Sequence, residues 1–189
     1  KAASLYKKAA QAGNAEAQYH PGVLYTNGYG VEKNYKEAAT WYRRSAAQGN
    51  TSAQNNLGFL YHDGTGVPQS YEQALYWFEE AAQMGDASAQ YNLGYMLSKG
   101  RGTQPNMSKS NEWFHAAALQ HHVNAQFQLA MNYYSGNGVD KNEAEALKWF
   151  KLAANAGHTN AQYSLGFLYK GRNQLDLSLH WFNLAAAQG

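Results

Sequence analysis

Residues 50–85 read NTSAQNNLGFLYHDGTGVPQSYEQALYWFEEAAQMG, and this stretch decides the fold because it recurs. Tryptophan falls at Trp41, Trp77, Trp113, Trp149 and Trp181, with gaps of 36, 36, 36 and 32 residues. The dipeptide Ala-Gln falls at Ala17-Gln18, Ala53-Gln54, Ala89-Gln90, Ala125-Gln126 and Ala161-Gln162, always 36 residues apart. Glycine recurs in step at Gly13, Gly49, Gly85, Gly157 and Gly189. A fixed period in the range of roughly 20–50 residues marks a stacked array of supersecondary units, not a globule with one centre.

The quoted stretch holds two helical patterns, the first from Asn50 to Tyr61 and the second from Ser70 to Ala82. Asn14, Asn50 and Asp86 stand where a helix N-cap is wanted, with side-chain oxygens able to take a free backbone N–H. Gly85 supplies the left-handed residue that ends the second helix. Between the helices lies a turn with two glycines: Gly28-Tyr-Gly-Val31, Gly64-Thr-Gly-Val67, Gly100-Arg-Gly-Thr103 and Gly136-Asn-Gly-Val139. The last turn is cut to Lys170-Gly-Arg-Asn173, which accounts for the 32-residue gap. No stretch alternates as a strand would, so the chain is expected to be all-α with eleven helices. Residues 1–12 align with the second helix of a preceding repeat. Repeats then occupy 13–48, 49–84, 85–120, 121–156 and 157–189, and the whole is expected to be a piece of a longer array.

Composition narrows the function classes. Of the 189 residues 44% are hydrophobic and 15% charged, with 3 prolines, which excludes disordered and collagen-like chains. No apolar run approaches the roughly 18 residues of a membrane span. The formal net charge is +2 with both signs scattered, so nothing favours nucleic acid or an anionic surface. Cysteine is absent, which removes disulfides and thiol chemistry.

The pattern Ala53-Gln54, Leu57-Gly58, Leu60-Tyr61, Gly64, Gly66-Val67, then Ala74, Trp77-Phe78, Ala81-Ala82 and Gly85 resembles the Sel1-like repeat, a relative of the tetratricopeptide repeat. The resemblance covers nearly the whole chain. It implies a right-handed α-solenoid whose first helices line a concave face, and work as an adaptor or binding scaffold. It favours a periplasmic or secreted bacterial setting, with the cytoplasm as an alternative. Three departures stand out. Pro21 replaces the leucine of Leu57, Leu93, Leu129 and Leu165, removes a helix bond at a cost of about 3 kcal/mol, and is expected to kink its helix or fray the turn before it. His121 replaces the helix-ending glycine, and Ala130 the packing glycine of Gly22, Gly58, Gly94 and Gly166.

Comparing the five copies separates framework from surface. On the first helix the variable side carries Tyr19, Asn55, Tyr91, Phe127 and Tyr163 in one column and Val23, Phe59, Tyr95, Met131 and Phe167 in another. Flanking them run His20, Asn56, Asn92, Gln128 and Ser164. Aromatics bury apolar side chains at low entropic cost, and amides pair with a peptide backbone as donor and acceptor. The candidate partner-binding residues are therefore Asn55, Asn56, Phe59, Tyr91, Asn92, Tyr95, Phe127, Gln128, Met131, Tyr163 and Phe167. The alternative is that the rings pack against the next repeat. On the second helix the variable side reads Arg43, Glu79, His115, Lys151 and Asn183, a solvated back.

Catalytic signals are weak. Ser4-Leu-Tyr-Lys7 is the only Ser-x-x-Lys, without the companion motifs of a penicillin-type nucleophile. The Gly-x-Gly turns lack a third glycine and a preceding strand, so no dinucleotide site is expected. His115, His121 and His122 have no acidic or cysteine partner spaced to complete a metal shell. Asn50-Thr-Ser52 and Asn106-Met-Ser108 match glycosylation sequons at a frequency chance explains. The expectation is a non-catalytic protein-interaction scaffold without cofactor or metal, binding a protein or peptide as a monomer. The alternatives are a weak hydrolase or cell-wall-fragment binder of the bacterial envelope, and a structural spacer.

Overall fold

The computed structural model describes residues 13–188, and all regular structure among them is α-helical. The helices are α1 (Ala15–Asn27), α2 (Tyr35–Ala46), α3 (Thr51–Asp63), α4 (Tyr71–Gln83), α5 (Ala87–Lys99), α6 (Met107–Leu119), α7 (Val123–Ser135), α8 (Glu143–Asn155), α9 (Thr159–Gly171) and α10 (Leu175–Ala186). The expected helix at residues 1–12 lies outside the described residues. The chain forms two compact units, one through Pro105 carrying α1–α5 and one from Asn106 carrying α6–α10. Within each unit every helix packs on the helix before it and the helix after it.

The helix starts follow the sequence. Asn14, Asn50 and Asp86 accept hydrogen bonds from the backbone N–H of Ala17, Ala53 and Ala89 at 3.2, 2.8 and 2.8 Å. At α7 and α9 histidine does the same work: Nδ1 of His122 and of His158 accepts from Ala125 and Ala161, each at 3.2 Å. His121, in the place of a helix-ending glycine, takes φ +62°, the left-handed region that side chains avoid.

Within a helix pair the core is made by small residues meeting an aromatic ring. A Cβ on Gly58 would stand under 3 Å from the Phe78 ring, so glycine is what lets α3 lie against α4. Gly22 meets Tyr42 and Gly166 meets Phe182 in the same way. At the fourth such site Ala130 is fully buried, so α7 accommodates the extra methyl. Phe78, Phe114 and Phe150 are 1% exposed, whereas Trp77 is only partly buried. The deepest anchor of the second repeat is therefore the ring after the tryptophan.

Successive pairs are joined by the repeated glutamine. Nε2 of Gln54, Gln90, Gln126 and Gln162 donates to the carbonyl of Ala46, Ala82, Ala118 and Ala154, at 3.1–3.3 Å. Each bond is buried and adds a second donor to a carbonyl in the last turn of the previous second helix, which already accepts the backbone N–H of Gly49, Gly85, His121 or Gly157. The turns make a second joint. A Cβ on Gly66, Gly102 or Gly138 would come within 3 Å of the first residue of the preceding second helix, Tyr35, Tyr71 or Met107.

The fraying expected at Pro21 is absent. Helix α1 runs unbroken from Ala15 to Asn27, and the proline is buried inside it. The Asn14 cap holds the turn ahead of the ring, and Thr26 Oγ1 lies 3.0 Å from the Tyr42 hydroxyl on the turn behind it.

Candidate functional site

Rings in the variable first-helix columns pack on a neighbouring ring with one side and stay open on the other. In the first unit Phe59 is 43% exposed yet meets Phe78 edge to face, with centroids 5.3 Å apart. In the second unit Phe127 lies 6.0 Å from Phe150 and stacks on His158 at 4.4 Å. Tyr163 and Phe167 are about half exposed and form a three-ring cluster with Phe182. So these rings seal the seam between their own two helices, and Phe127 also reaches the start of the next repeat. The packing and the open surface coexist in one residue.

The amides are engaged with one another. Asn92 Nδ2 donates to Asn55 Oδ1 at 2.9 Å, a half-buried bond between neighbouring repeats. This leaves the Asn92 oxygen and the Asn55 NH2 group without a protein partner, one acceptor and two donors. Asn56 lies against the Tyr42 hydroxyl, whose pKa is raised by burial against the lowering effect of its bonds to Thr26 and Asn56. Gln128 Nε2 donates to Asn132 Oδ1 at 3.2 Å. Asn132 in turn donates to Asn111 at 2.6 Å, and Asn111 to the carbonyl of Asn137. This buried amide pair replaces the apolar residues of the other copies, Leu60 or Met96 and Leu75 or Leu147.

Two clefts follow. In the first unit Phe59, Tyr91, Asn92 and Tyr95 surround a cleft of about 190 Å³ together with His62, Phe78 and Met96. Burial and the neighbouring Tyr95 hold the Tyr91 hydroxyl above its ordinary pKa. The Arg101 guanidinium lies over two rings, 5.3 Å from the centre of Tyr95 and 5.4 Å from that of Tyr71. The second unit holds a larger cleft of about 650 Å³, lined in part by Met131, Tyr163 and Phe167. It also takes in Arg172 and Glu143, which sequence reasoning passed over. The signal was the shortened last turn, which exposes the start of α8.

The His62–Asp63 pair at the edge of the smaller cleft is not set up as a base. His62 Nδ1 lies 2.5 Å from Asp63 Oδ1, and its Nε2 lies 2.6 Å from an Arg101 nitrogen that can only donate. Both ring nitrogens are spent. Among the described residues no group of three or more His, Asp or Glu could hold a metal ion, and no helix is long and apolar enough to cross a membrane. The second-helix residues Arg43, Glu79, His115, Lys151 and Asn183 are exposed in every copy.

Comparison with known proteins agrees with this geometry. The Sel1 repeat model matches residues 1–14, 15–50, 51–86, 87–122, 123–158 and 159–189. A protective antigen present in uropathogenic Escherichia coli strains is 34% identical over 99% of this chain, with a TM-score of 0.94. This chain spans 41% of that protein's length. A Sel1 repeat protein from Oxalobacter formigenes is 32% identical over the whole chain, with a TM-score of 0.90 and 79% of its own length covered. Helicobacter pylori cysteine rich protein B, 19% identical, shares the fold over 68% of this chain and 92% of its own, with a TM-score of 0.55. No curated protein sequence matches. Paired helices, a glycine turn and a glutamine joint repeated along the chain are the architecture of an α-solenoid, and the chain belongs to the Sel1 repeat family.

Proposed function

We propose that this chain is a non-catalytic scaffold that holds a segment of a partner protein against the open side of its first helices. Sel1 repeat proteins are generally protein-interaction scaffolds. The observation that carries the reading to this face is the Asn55–Asn92 pair beside Phe59, Tyr91 and Tyr95. Its unused acceptor and donors match the two needs of an extended backbone, and the half-open rings beside it can take apolar side chains. In the second unit Phe127, Gln128, Met131, Tyr163 and Phe167 continue the same columns.

Capture of partners on the full chain, followed by titration of the purified partner, tests this. Tyr95→Ala and Asn92→Ala are each expected to weaken binding by about 1–2 kcal/mol. Glu79→Ala on the exposed second-helix side is expected to change nothing. Asn92→Ala also breaks the bond to Asn55, so it is expected to cost about 1 kcal/mol of stability and is read beside its melting temperature. Loss of affinity in Glu79→Ala with none in Tyr95→Ala would place the partner on the other side of the helices.

A further inference from the structure

The last repeat departs from the others at its turn, and the departure opens the larger cleft. In the preceding repeat Gly138 lies on Met107, the first residue of α6. The residue 36 positions after Met107 is Glu143, the first of α8. The turn that would cover it is four residues short (36 − 32), and a Cβ on Gly171 would meet nothing within 4 Å. Arg172 reaches Glu143 instead. Its Nε and Nη2 both donate to Oε1, at 3.1 and 2.5 Å.

This pairing is incomplete on both sides. A guanidinium has five N–H groups, and a carboxylate is held most strongly when its two oxygens each take one. Here a single oxygen takes both bonds, and the other donors of Arg172 have no protein partner. The two side chains are 37% and 50% exposed, and an ion pair so open to water is weakly held and readily exchanged. Beside it stand Met131, Tyr163 and Phe167, at 37%, 54% and 51% exposure. The cleft of about 650 Å³ falls in the range of small-ligand sites, roughly 300–1,000 Å³. That suits one or two residues better than a segment running through.

We propose that this cleft takes the C-terminal residue of a partner chain. Its apolar side chain rests among Met131, Tyr163 and Phe167, and its α-carboxylate takes Arg172 from Glu143. Within a partner polypeptide, the chain end is the place where an apolar side chain and a carboxylate belong to the same residue. The inference rests on the partner-binding reading above and narrows it to one class of contact.

Methyl NMR of the full chain tests it without a known partner. The Met131 methyl is followed during titration with N-acetyl-L-phenylalanine and with N-acetyl-L-phenylalaninamide, with Met84, Met96 and Met107 as internal controls. The acid is expected to shift Met131 saturably and to bind several-fold more tightly than the amide. Glu143→Gln frees the guanidinium and is expected to tighten the acid several-fold. Arg172→Gln is expected to weaken it to the level of the amide, and neither change should affect the amide. Opposite signs are the signature, since loss of a purely structural ion pair would move both variants the same way. Equal binding of acid and amide, no saturable shift, or the same direction in both variants overturns the proposal. So does tighter binding of N-acetyl-Phe-Glu-amide, which would mark an internal acidic segment. A Met131 shift on concentrating the protein alone would give the cleft to a second copy and overturn it too. A failed partner capture leaves this titration standing, and a failed titration leaves the Tyr95 test standing.

Discussion

Two histidines occupy helix N-caps, and this ties stability to pH. His158 accepts the Ala161 N–H through Nδ1, so that nitrogen must be unprotonated. Burial lowers its pKa, partly offset by an interaction with its own backbone. A lowered folded-state pKa means that the unfolded chain binds more protons below its own value of about 6.5. The contribution of His158 is therefore complete above about pH 6.5 and is lost as pH falls through the folded-state pKa. Urea midpoints are expected to fall between about pH 7.5 and about pH 5, and His158→Asn, which keeps a cap, is expected to flatten that slope. His121 makes a second residue-scale prediction. Its left-handed φ of +62° is a strain that glycine lacks, so His121→Gly is expected to stabilise by about 1 kcal/mol in denaturant titration.

Among the helices, α1 shows how packing overrides propensity. Pro21 denies the Ala17 carbonyl its partner, yet the helix is continuous, because the cap at Asn14 and the burial of the ring hold both sides. The missing bond remains a cost. Pro21→Leu supplies the N–H and the leucine of the other copies, and is expected to raise the melting temperature. An unchanged value would mean that the surroundings are already fitted to the ring. In α4 the buried ring is Phe78, so Phe78→Ala is expected to cost about 3–5 kcal/mol, and Trp77→Ala less because its indole is partly open.

Across the whole chain, each helix touches mainly its sequence neighbours within its unit, so stability is a sum of repeat and nearest-neighbour terms. Hydrogen exchange is the measurement that reads this. Phe78→Ala is expected to speed exchange first in α3, α4 and α5, and to leave α9 and α10 closest to wild type. Uniform acceleration throughout would show one cooperative unit instead. The same locality explains why a four-residue shortening in one turn can open a cleft while the repeats around it keep their form.

Sequence alone determined the period, the helix pairs, the caps at Asn14, Asn50 and Asp86 and the split between framework and variable faces. Each of these rests on residue type at fixed spacing, and the spacing repeats five times. The Asn–Asp caps were legible because their chemistry is local. The histidine caps were not, since a cap depends on which ring nitrogen faces the backbone. Tertiary structure decided what the variable residues touch. Only the folded contacts show that Asn92 is bonded to Asn55, 37 residues away, or that the repeated glutamine reaches a carbonyl of the previous helix end, eight residues back. The Arg172–Glu143 pair lies 29 residues apart and outside the period, so no column of the repeat could have pointed to it. Periodic pattern specifies the elements and their faces, and packing distance decides which polar groups across them become partners.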